Sequence, residues 1–239
     1  MSLGPRQTAE ENHRHAAAFT LVELLTVIAI IAILAAILIP TVSGARRSAH
    51  RARTRVQFAQ WTAAIEAFRE EYGCYPVFAG TGKVNDSAGT LAGTMHLFHD
   101  VLAGRRRDGS ALPAVAVGLP ADPPAPESQN FRRIRFVTFT ANDLFPDAGD
   151  DDATGNLIHD GFENTDIAVL VDRNTDGVIN AVDYPVLPGV SPPGDSSRRL
   201  TPAAVDFPDG PSGGIRAGVL FYSCPPGTKD ASGLIMSWK

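Results

Sequence analysis

Side-chain oxygens are concentrated in the segment 172–183, which reads DRNTDGVINAVD. Asp or Asn stands at positions 1, 3, 5, 9 and 12 of this segment, position 7 offers a backbone carbonyl, and Gly177 at position 6 permits a sharp turn. Hard oxygen ligands at this spacing suit Ca²⁺. The candidate ligands are Asp172, Asn174, Asp176, Val178, Asn180 and Asp183.

The spacing of this loop follows the EF-hand calcium loop, with two departures. Position 12 is Asp183 in place of the longer Glu, and the preceding residues 167–171 have the pattern of a strand. The loop resembles more closely a single dockerin-type loop, which also has Asp at position 12, although a full dockerin has two such repeats and this chain has one. The alternative is a polar turn rich in Asp, Asn and Gly that binds no metal.

A second chemical group is Glu23, which lies inside an apolar stretch. Residues 19–39 are apolar except for Thr20, Glu23 and Thr26. As a helix this stretch would be about 32 Å long, which matches the roughly 30 Å hydrocarbon core of a bilayer. A carboxylate inside such a span costs about 2.5 to 3.5 kcal/mol on insertion scales, so we expect Glu23 to have a partner and a function.

The junction before this span has an unusual order. The polar segment 1–18 ends at the small residue Ala18, and the apolar run begins at once with Phe19, whereas a secretory signal has its small-residue cleavage site after the apolar run. The sequence FTLVELLTVIAIIAILAAILIP resembles the prepilin N-terminal cleavage and methylation motif of type IV pilins and type II secretion pseudopilins.

That resemblance assigns roles to three residues. It implies that a peptidase cuts between Ala18 and Phe19 on the cytoplasmic side and that the new Phe19 amine is methylated. It also implies that Glu23 pairs with the amine of a neighbouring subunit during assembly. The family favours Gly before the cut, where this chain has Ala18. The alternative is an ordinary signal anchor with an incidental Glu.

Arginines follow the span closely and raise the question of topology. Because the positive-inside rule favours a cytoplasmic location for them, it opposes the orientation that the resemblance requires. We expect the processing motif to prevail over this statistical bias.

The arginines spread around a helix, so we predict no nucleic-acid binding. They are Arg46, Arg47, Arg51, Arg53 and Arg55.

The helical pattern resumes after Pro40 and continues to about Tyr72, with Gly73 as the predicted stop. At about 100° per residue it has two opposite apolar faces. The small-residue face comprises Val42, Ala45, Ala49, Ala52, Val56, Ala59 and Ala63, and the large-residue face comprises Phe58, Trp61, Ile65, Phe68 and Tyr72. We expect the large-residue face to pack on the chain's own head and the small-residue face to admit another helix, unless it is merely an alanine-rich surface.

Beyond the helix, a short second helix is predicted to end near Gly104, and four segments have strand patterns. The predicted strands are residues 134–140, 167–171, 218–223 and 234–238. The segments AIEAFREEYGCYP and GLIMSWK resemble the end of the long helix and the last strand of G-type pseudopilins. The predicted fold is therefore α+β and pilin-like, with a small antiparallel sheet packed on a long N-terminal helix.

Cys74 and Cys224 are the only cysteines among the 239 residues. In an exported head two thiols commonly form a disulfide, and here one follows the long helix and the other ends a predicted strand. The alternative is that each is a small buried apolar residue.

No arrangement of residues predicts an enzyme. Ser43, Ser223 and the six histidines have no recognisable nucleophile or zinc spacing, and no glycine-rich phosphate loop occurs. The net charge of −5 is mild and gives no further indication of a partner.

The predicted organisation has four parts and one embedded loop. These are a cleaved leader (1–18), a transmembrane segment (19–40), the exported half of the long helix (41–73), and an α+β head (74–239) that contains the calcium-type loop 172–183. We expect a single-pass protein of the inner membrane with its N-terminus in the cytoplasm and its head in the periplasm or in an extracytoplasmic filament.

The function implied is that of a structural subunit of a type II secretion pseudopilus or a type IV pilus-like filament. Its expected partners are prepilin peptidase, copies of itself, other pilins or pseudopilins, an inner-membrane assembly platform and membrane lipid. The alternative is a membrane-tethered, calcium-dependent module that binds protein or polysaccharide and does not polymerise. A mature N-terminus at Phe19 and assembly that depends on Glu23 would distinguish the two.

Overall fold

The computed structural model describes residues 20–78, 82–85, 96–114, 124–145, 157–208 and 213–239. The chain divides into two compact units, Met1–Arg47 and Ser48–Lys239. The second unit contains the head.

Helix α1 extends over Leu21–Tyr72 and ends where the sequence predicted. Gly73 adopts a left-handed conformation with φ of 75°, and its N–H donates to the Arg69 carbonyl at 2.8 Å. Glycine reaches this conformation without a steric penalty, and for that reason it commonly ends helices.

The two apolar faces of α1 differ in burial as predicted. Phe58, Trp61, Ile65 and Phe68 on the large-residue face are each at most 2% exposed. Every member of the small-residue face is exposed. The large apolar side chains therefore form part of the core of the head, and the small ones remain available for other contacts.

The sheet has three antiparallel strands in the order β1-β2-β3. They are β1 (Ile167–Val171), β2 (Val219–Ser223) and β3 (Ile235–Met236). Val169 pairs with Phe221 and Leu170 pairs with Leu220. Because successive side chains of a strand point to opposite faces, these two pairs lie on opposite faces of the sheet. The fold is α+β, with a long N-terminal helix and a small antiparallel sheet.

Both faces of the sheet are covered. On one face Val169 and Phe221 join Phe58 and Trp61 of α1 in one cluster, and the rings of Phe58 and Phe221 stack with centroids 5.4 Å apart. On the other face Leu170 and other alternate residues pack under the segment that includes Ile179, Tyr184 and Val190. Burial on both faces explains why β1 is a continuous apolar run and does not alternate.

Residues 134–140 form no strand, contrary to the prediction. The N–H groups of Phe136 and Val137 both donate to the Leu102 carbonyl, at 2.9 and 3.3 Å, at the end of helix α2 (Leu97–Ala103). Aromatic contacts fix the segment further, since Phe136 lies 5.4 Å from Phe68 between ring centroids. The apolar side chains therefore pack on helices, and their alternation was wrongly interpreted as strand pairing.

Helix α2 ends at Gly104, as predicted, and Gly104 has φ of 65°. A third helix, α3, is the single turn Pro126–Gln129.

Candidate functional site

Thr20 and Glu23 cap the N-terminus of α1. Glu23 Oε2 accepts hydrogen bonds from the Thr20 N–H at 2.9 Å and from the Thr20 hydroxyl at 2.7 Å. In return, the Glu23 N–H donates to Thr20 Oγ1 at 3.2 Å. This reciprocal pair is a capping box, with Thr20 as the N-cap and Glu23 as the third helical residue. Glu23 is exposed to the surroundings of the helix.

The helix that follows is long and apolar enough to span a membrane, by length and composition, and is the one such helix in the described part of the chain. Its large apolar side chains are exposed, for example Leu21 at 74% and Ile39 at 70%. The predicted cleavage residues Ala18 and Phe19, and the leader 1–18, lie outside the described residues.

Comparison with known families gives a match over residues 13–39, to the prokaryotic N-terminal methylation motif. The chain carries a prepilin-type N-terminal motif. The motif implies processing by prepilin peptidase and assembly with other pilins, and together with the apolar helix it indicates a membrane-anchored, single-pass, pilin-like protein. No curated protein and no solved structure matches the chain.

The loop 172–183 leaves β1 and encloses two buried carboxylates. Asp172 is 1% exposed and Asp183 is 4% exposed. Asp172 Oδ2 accepts the N–H of Gly177 at 2.8 Å, whereas Asp172 Oδ1 is buried without a hydrogen-bond partner. Gly177 has φ of 85°, which makes the sharp turn at position 6 that the sequence predicted.

The other candidate ligands are held by backbone N–H groups of the same loop. Asp183 Oδ1 accepts from Arg173 and Asn174 at 3.1 and 3.3 Å, and Asp183 Oδ2 accepts from Asn180 at 3.2 Å. Asp176 Oδ1 accepts from Val178 at 2.8 Å. The loop thus has the turns that its Asp and Asn residues favour.

Asn174 and Asn180 complete the set. Asn174 Oδ1 accepts the Asp176 N–H at 3.0 Å, and Asn180 Oδ1 accepts the Val182 N–H at 2.7 Å. Among the described residues, no three His, Cys, Asp or Glu side chains form a group that could hold a metal ion. Asp172, Asp176 and Asp183 therefore lie in one loop, but their carboxylates do not converge on a common point.

The loop fits a hard cation in one respect that the sequence could not show. The unpartnered Asp172 Oδ1 is a buried carboxyl oxygen, and such an atom is costly unless a cation or donor contacts it. Asp172, Asn174, Asp176, Val178, Asn180 and Asp183 are the residues whose oxygens would hold Ca²⁺.

Both cysteines are free thiols in this structure, with Cys74 exposed and Cys224 buried. Burial raises the pKa of the Cys224 thiol. Their pairing stays a prediction.

Polar contacts that sequence reasoning missed fix the head to α1. The Gly161 N–H donates to Thr54 Oγ1 at 3.1 Å, the Gly161 carbonyl lies 2.5 Å from His50 Nδ1, and Gln57 Nε2 donates to the His159 carbonyl at 2.9 Å. Thr54 and Gln57 are 0% and 5% exposed. The sequence could have indicated these contacts, because Thr54 and Gln57 lie near Phe58 on the helix and a polar residue on a buried face needs a hydrogen-bond partner.

Asp160 is a second buried group that the sequence did not single out. Its Oδ1 accepts the N–H groups of Phe162 and Asn164 at 2.8 and 3.0 Å, and its Oδ2 accepts the Ser223 hydroxyl at 2.7 Å. Burial raises its pKa despite these bonds. The carboxylate joins the end of β2 to the loop that contacts α1.

A pocket of about 460 Å³ lies beside the loop, lined by Cys74, Tyr75, Phe78, Asp172 and Tyr184 among others. The Arg173 guanidinium lies 4.4 Å from the centroid of the Tyr184 ring. Residues near the end of α1 and residues of the loop thus share a pocket, although they are far apart in the sequence.

Proposed function

We propose that this chain is a structural subunit of a type II secretion pseudopilus or a type IV pilus-like filament. The observation that carries the proposal is the methylation motif at residues 13–39, followed by an exposed apolar helix with Glu23 in its first turn. The motif supplies the processing step, and the helix supplies an apolar surface that membrane lipid covers before assembly and other subunits cover afterwards.

The opposite faces of the exported half of α1 support polymerisation. The large-residue face is occupied by the chain's own sheet, with Phe58 stacked on Phe221. The small-residue face is exposed, and small side chains let a second helix approach closely. One helix therefore offers one face to its own head and the other to a neighbouring subunit.

In this proposal prepilin peptidase cuts before Phe19, and Glu23 then recognises the methylated amine of a neighbouring subunit. The N-terminus lies in the cytoplasm before assembly, and the head lies in the periplasm or in an extracytoplasmic filament. Copies of the chain, other pilins or pseudopilins and an inner-membrane assembly platform are its partners. The role is structural, without enzymatic activity.

The experiment is co-expression of the full chain with an active or an inactive prepilin peptidase, followed by N-terminal sequencing of the membrane-purified protein. We expect methylated Phe19 as the first residue with the active peptidase and Met1 with the inactive one. Recovery of Met1 in both strains would contradict the proposal.

A second candidate function is a membrane-tethered, calcium-dependent module that binds protein or polysaccharide without polymerising. The observation in its favour is the buried, unpartnered oxygen of Asp172 in the calcium-type loop. A processed chain that stays monomeric in the presence of the assembly machinery would favour this candidate.

A further inference from the structure

We propose that an arginine patch on the head binds an acidic polysaccharide, a polymer of sugar units that carry carboxylates. The patch is formed by two segments, and its members are Arg105, Arg106, Arg107, Arg132, Arg133 and Arg135. This inference goes beyond the filament role and rests on it only in placing the head outside the cytoplasm. Binding is measured on the unassembled protein, so its failure would leave the filament proposal unaffected.

The two segments of the patch meet at the end of α2, although they are far apart in the sequence. A Cβ atom on Gly104 would lie 2.7 Å from the carbonyl oxygens of both Arg133 and Ile134, so the backbones of the two segments are in contact. Each segment lies in a tight turn. The Arg106 N–H donates to the Ser110 carbonyl at 3.0 Å, and the Arg133 N–H donates to that of Asn130 at 2.9 Å.

Asn130 fixes the second turn to the rest of the head. It is 0% exposed, and its Nδ2 donates to the carbonyls of Val101 and Ile134, both at 2.7 Å. Its Oδ1 accepts the Ile134 N–H at 2.9 Å and the Tyr72 hydroxyl at 2.7 Å. The turn is thus attached to both α1 and α2. A fixed backbone presents the arginines in one arrangement, which lowers the entropic cost of binding.

Most of the patch lacks an internal counter-charge. Arg132 forms an ion pair with Glu71, and within the part of the chain that the structure describes the other five arginines form none. Arg106, Arg132, Arg133 and Arg135 are exposed. Clustered cations attract anions, and the planar guanidinium binds a carboxylate through two parallel hydrogen bonds.

Arg107 shows that the patch needs an acceptor from outside. All three of its guanidinium nitrogens are buried, and none has a hydrogen-bond partner in the described part of the chain. Asp100 acts on it electrostatically, but Asp100 Oδ1 lies 2.8 Å from His99 Nδ1. Burial lowers the pKa of Arg107 to about 10, so the group stays charged at neutral pH.

A buried charge without a partner is costly, so Arg107 turns outward when a carboxylate approaches. Its neighbours Arg106 and Asp108 are exposed, so its long side chain can move without disturbing the core.

The surroundings of the patch favour a polysaccharide over other polyanions. Every residue of α2 is buried, so this helix cannot enter the groove of a nucleic-acid duplex. Phe131 is the one large apolar side chain exposed in residues 130–137 and 104–112, which is too little for stacking successive bases or for the apolar centre of a protein interface. The Arg132 guanidinium lies 5.8 Å from the centroid of the Phe131 ring, so one acidic sugar unit can contact both.

The test measures binding of the full chain, in a neutral detergent, to immobilised alginate, a polymer of uronic acids. Dextran is the neutral polysaccharide for comparison. We expect saturable binding to alginate and none to dextran. Binding should weaken on the order of tenfold as NaCl rises from about 50 to 500 mM, because salt screens exposed charges and competes for the polyanion.

The decisive protein is the double variant Arg106→Gln, Arg135→Gln, which removes one exposed arginine from each segment. We expect it to bind alginate on the order of tenfold more weakly, because charge-assisted hydrogen bonds are lost. The matched control is Arg55→Gln, Arg216→Gln, which changes the net charge equally at two exposed positions outside the patch. The control should bind as the wild type does.

Arg107→Met separates a binding role from a structural one. We expect this variant to bind alginate more weakly and, without polymer, to unfold at a higher temperature, because it removes a buried guanidinium that has no acceptor. A structural role would instead lower the unfolding temperature.

Four results would overturn the proposal. Lack of saturable binding to alginate at low salt would remove the site, and equal binding by the two double variants would make it an effect of overall charge. Tighter binding of DNA or polyglutamate than of alginate, at equal concentrations of charge, would assign the patch to nucleic acid or to an acidic protein. A lower unfolding temperature for Arg107→Met would make the buried guanidinium part of the fold.

Discussion

The Glu23 carboxylate accepts both the N–H and the hydroxyl of Thr20, at 2.9 and 2.7 Å, and so caps the helix to which it belongs. The acid proposed to recognise a neighbouring subunit is therefore satisfied within its own chain before assembly. A methylated amine from a neighbour would have to compete with Thr20 for it. A carboxylate that is already capped is also less costly to hold at the edge of a membrane span.

This relationship separates two effects of replacing Glu23. Glu23→Gln keeps a side chain that can close a capping box but removes the negative charge, whereas Glu23→Ala removes both. We expect both variants to insert and be processed, and both to lose filament assembly, because a neutral amide does not neutralise an amine. Assembly is measured by sedimentation of sheared filaments after co-expression with the assembly machinery.

Glu70→Ala is the control for Glu23, since it removes an exposed carboxylate from the same helix outside the span. It should assemble normally. Full assembly of Glu23→Gln would show that the cap, and not the charge, is what matters.

A second prediction concerns the small-residue face of α1. Ala59 is exposed, so Ala59→Leu should leave the head as stable as before but hinder the close approach of another helix and reduce assembly. Ala59→Ser keeps the side chain small and should assemble. Sedimentation reports assembly and urea unfolding reports stability, and equal assembly of the two variants would show that this face is an ordinary surface.

Replacement of Gly161 tests how the head is fixed to α1. A Cβ atom there would lie 2.5 Å from the His50 carbonyl oxygen and 2.9 Å from Thr54 Oγ1. Because helix backbone cannot move aside easily, we expect Gly161→Ala to lower the free energy of unfolding by about 1 to 3 kcal/mol in urea titrations.

A second glycine calibrates this loss. A Cβ on Gly44 would meet no atom within 4 Å, so Gly44→Ala should leave the head unchanged. If Gly161→Ala were as stable as Gly44→Ala, the result would contradict the close packing of Gly161 against the helix backbone.

Asp160 gives the head a specific dependence on pH. Burial raises the pKa of Asp160 above the ordinary value of 3.8, so the folded state binds this proton more tightly than the unfolded state does. Its contribution to stability is therefore complete below pH 3.8 and is lost as the pH rises through the folded pKa. The difference in unfolding free energy between wild type and Asp160→Asn should decrease over that range. An increase with pH would mean that hydrogen bonds from Ser223 and the backbone outweigh burial.

The cysteines can be examined by thiol labelling of the unreduced protein. In the folded chain we expect Cys74 to react quickly, because it is exposed, and Cys224 to react slowly, because it is buried and its thiol pKa is raised. After denaturation without reductant, both should react if the two thiols are free as they are in this structure. Failure of both to react after denaturation would instead establish a Cys74–Cys224 disulfide.

Patterns of neighbouring residues determined the parts of this protein that depend on local structure. The apolar first part of α1, its end at Gly73 and the two faces of that helix follow from apolar periodicity and from the conformational freedom of glycine. β1 was predictable because five successive apolar residues are buried on both faces of the sheet. The turn at Gly177 follows from the spacing of Asp and Asn around a glycine.

The contacts between segments that are distant in the sequence depend on tertiary packing. Residues 134–140 have an alternating pattern, yet they bind the end of α2 through the Leu102 carbonyl, because pairing depends on a partner strand that the pattern cannot supply. The close packing of Gly161 on the backbone at His50 joins residues that are remote in sequence. Likewise, spacing alone marked Asp172 as a candidate ligand, but its burial with one unpartnered oxygen arises from packing between the loop and the sheet.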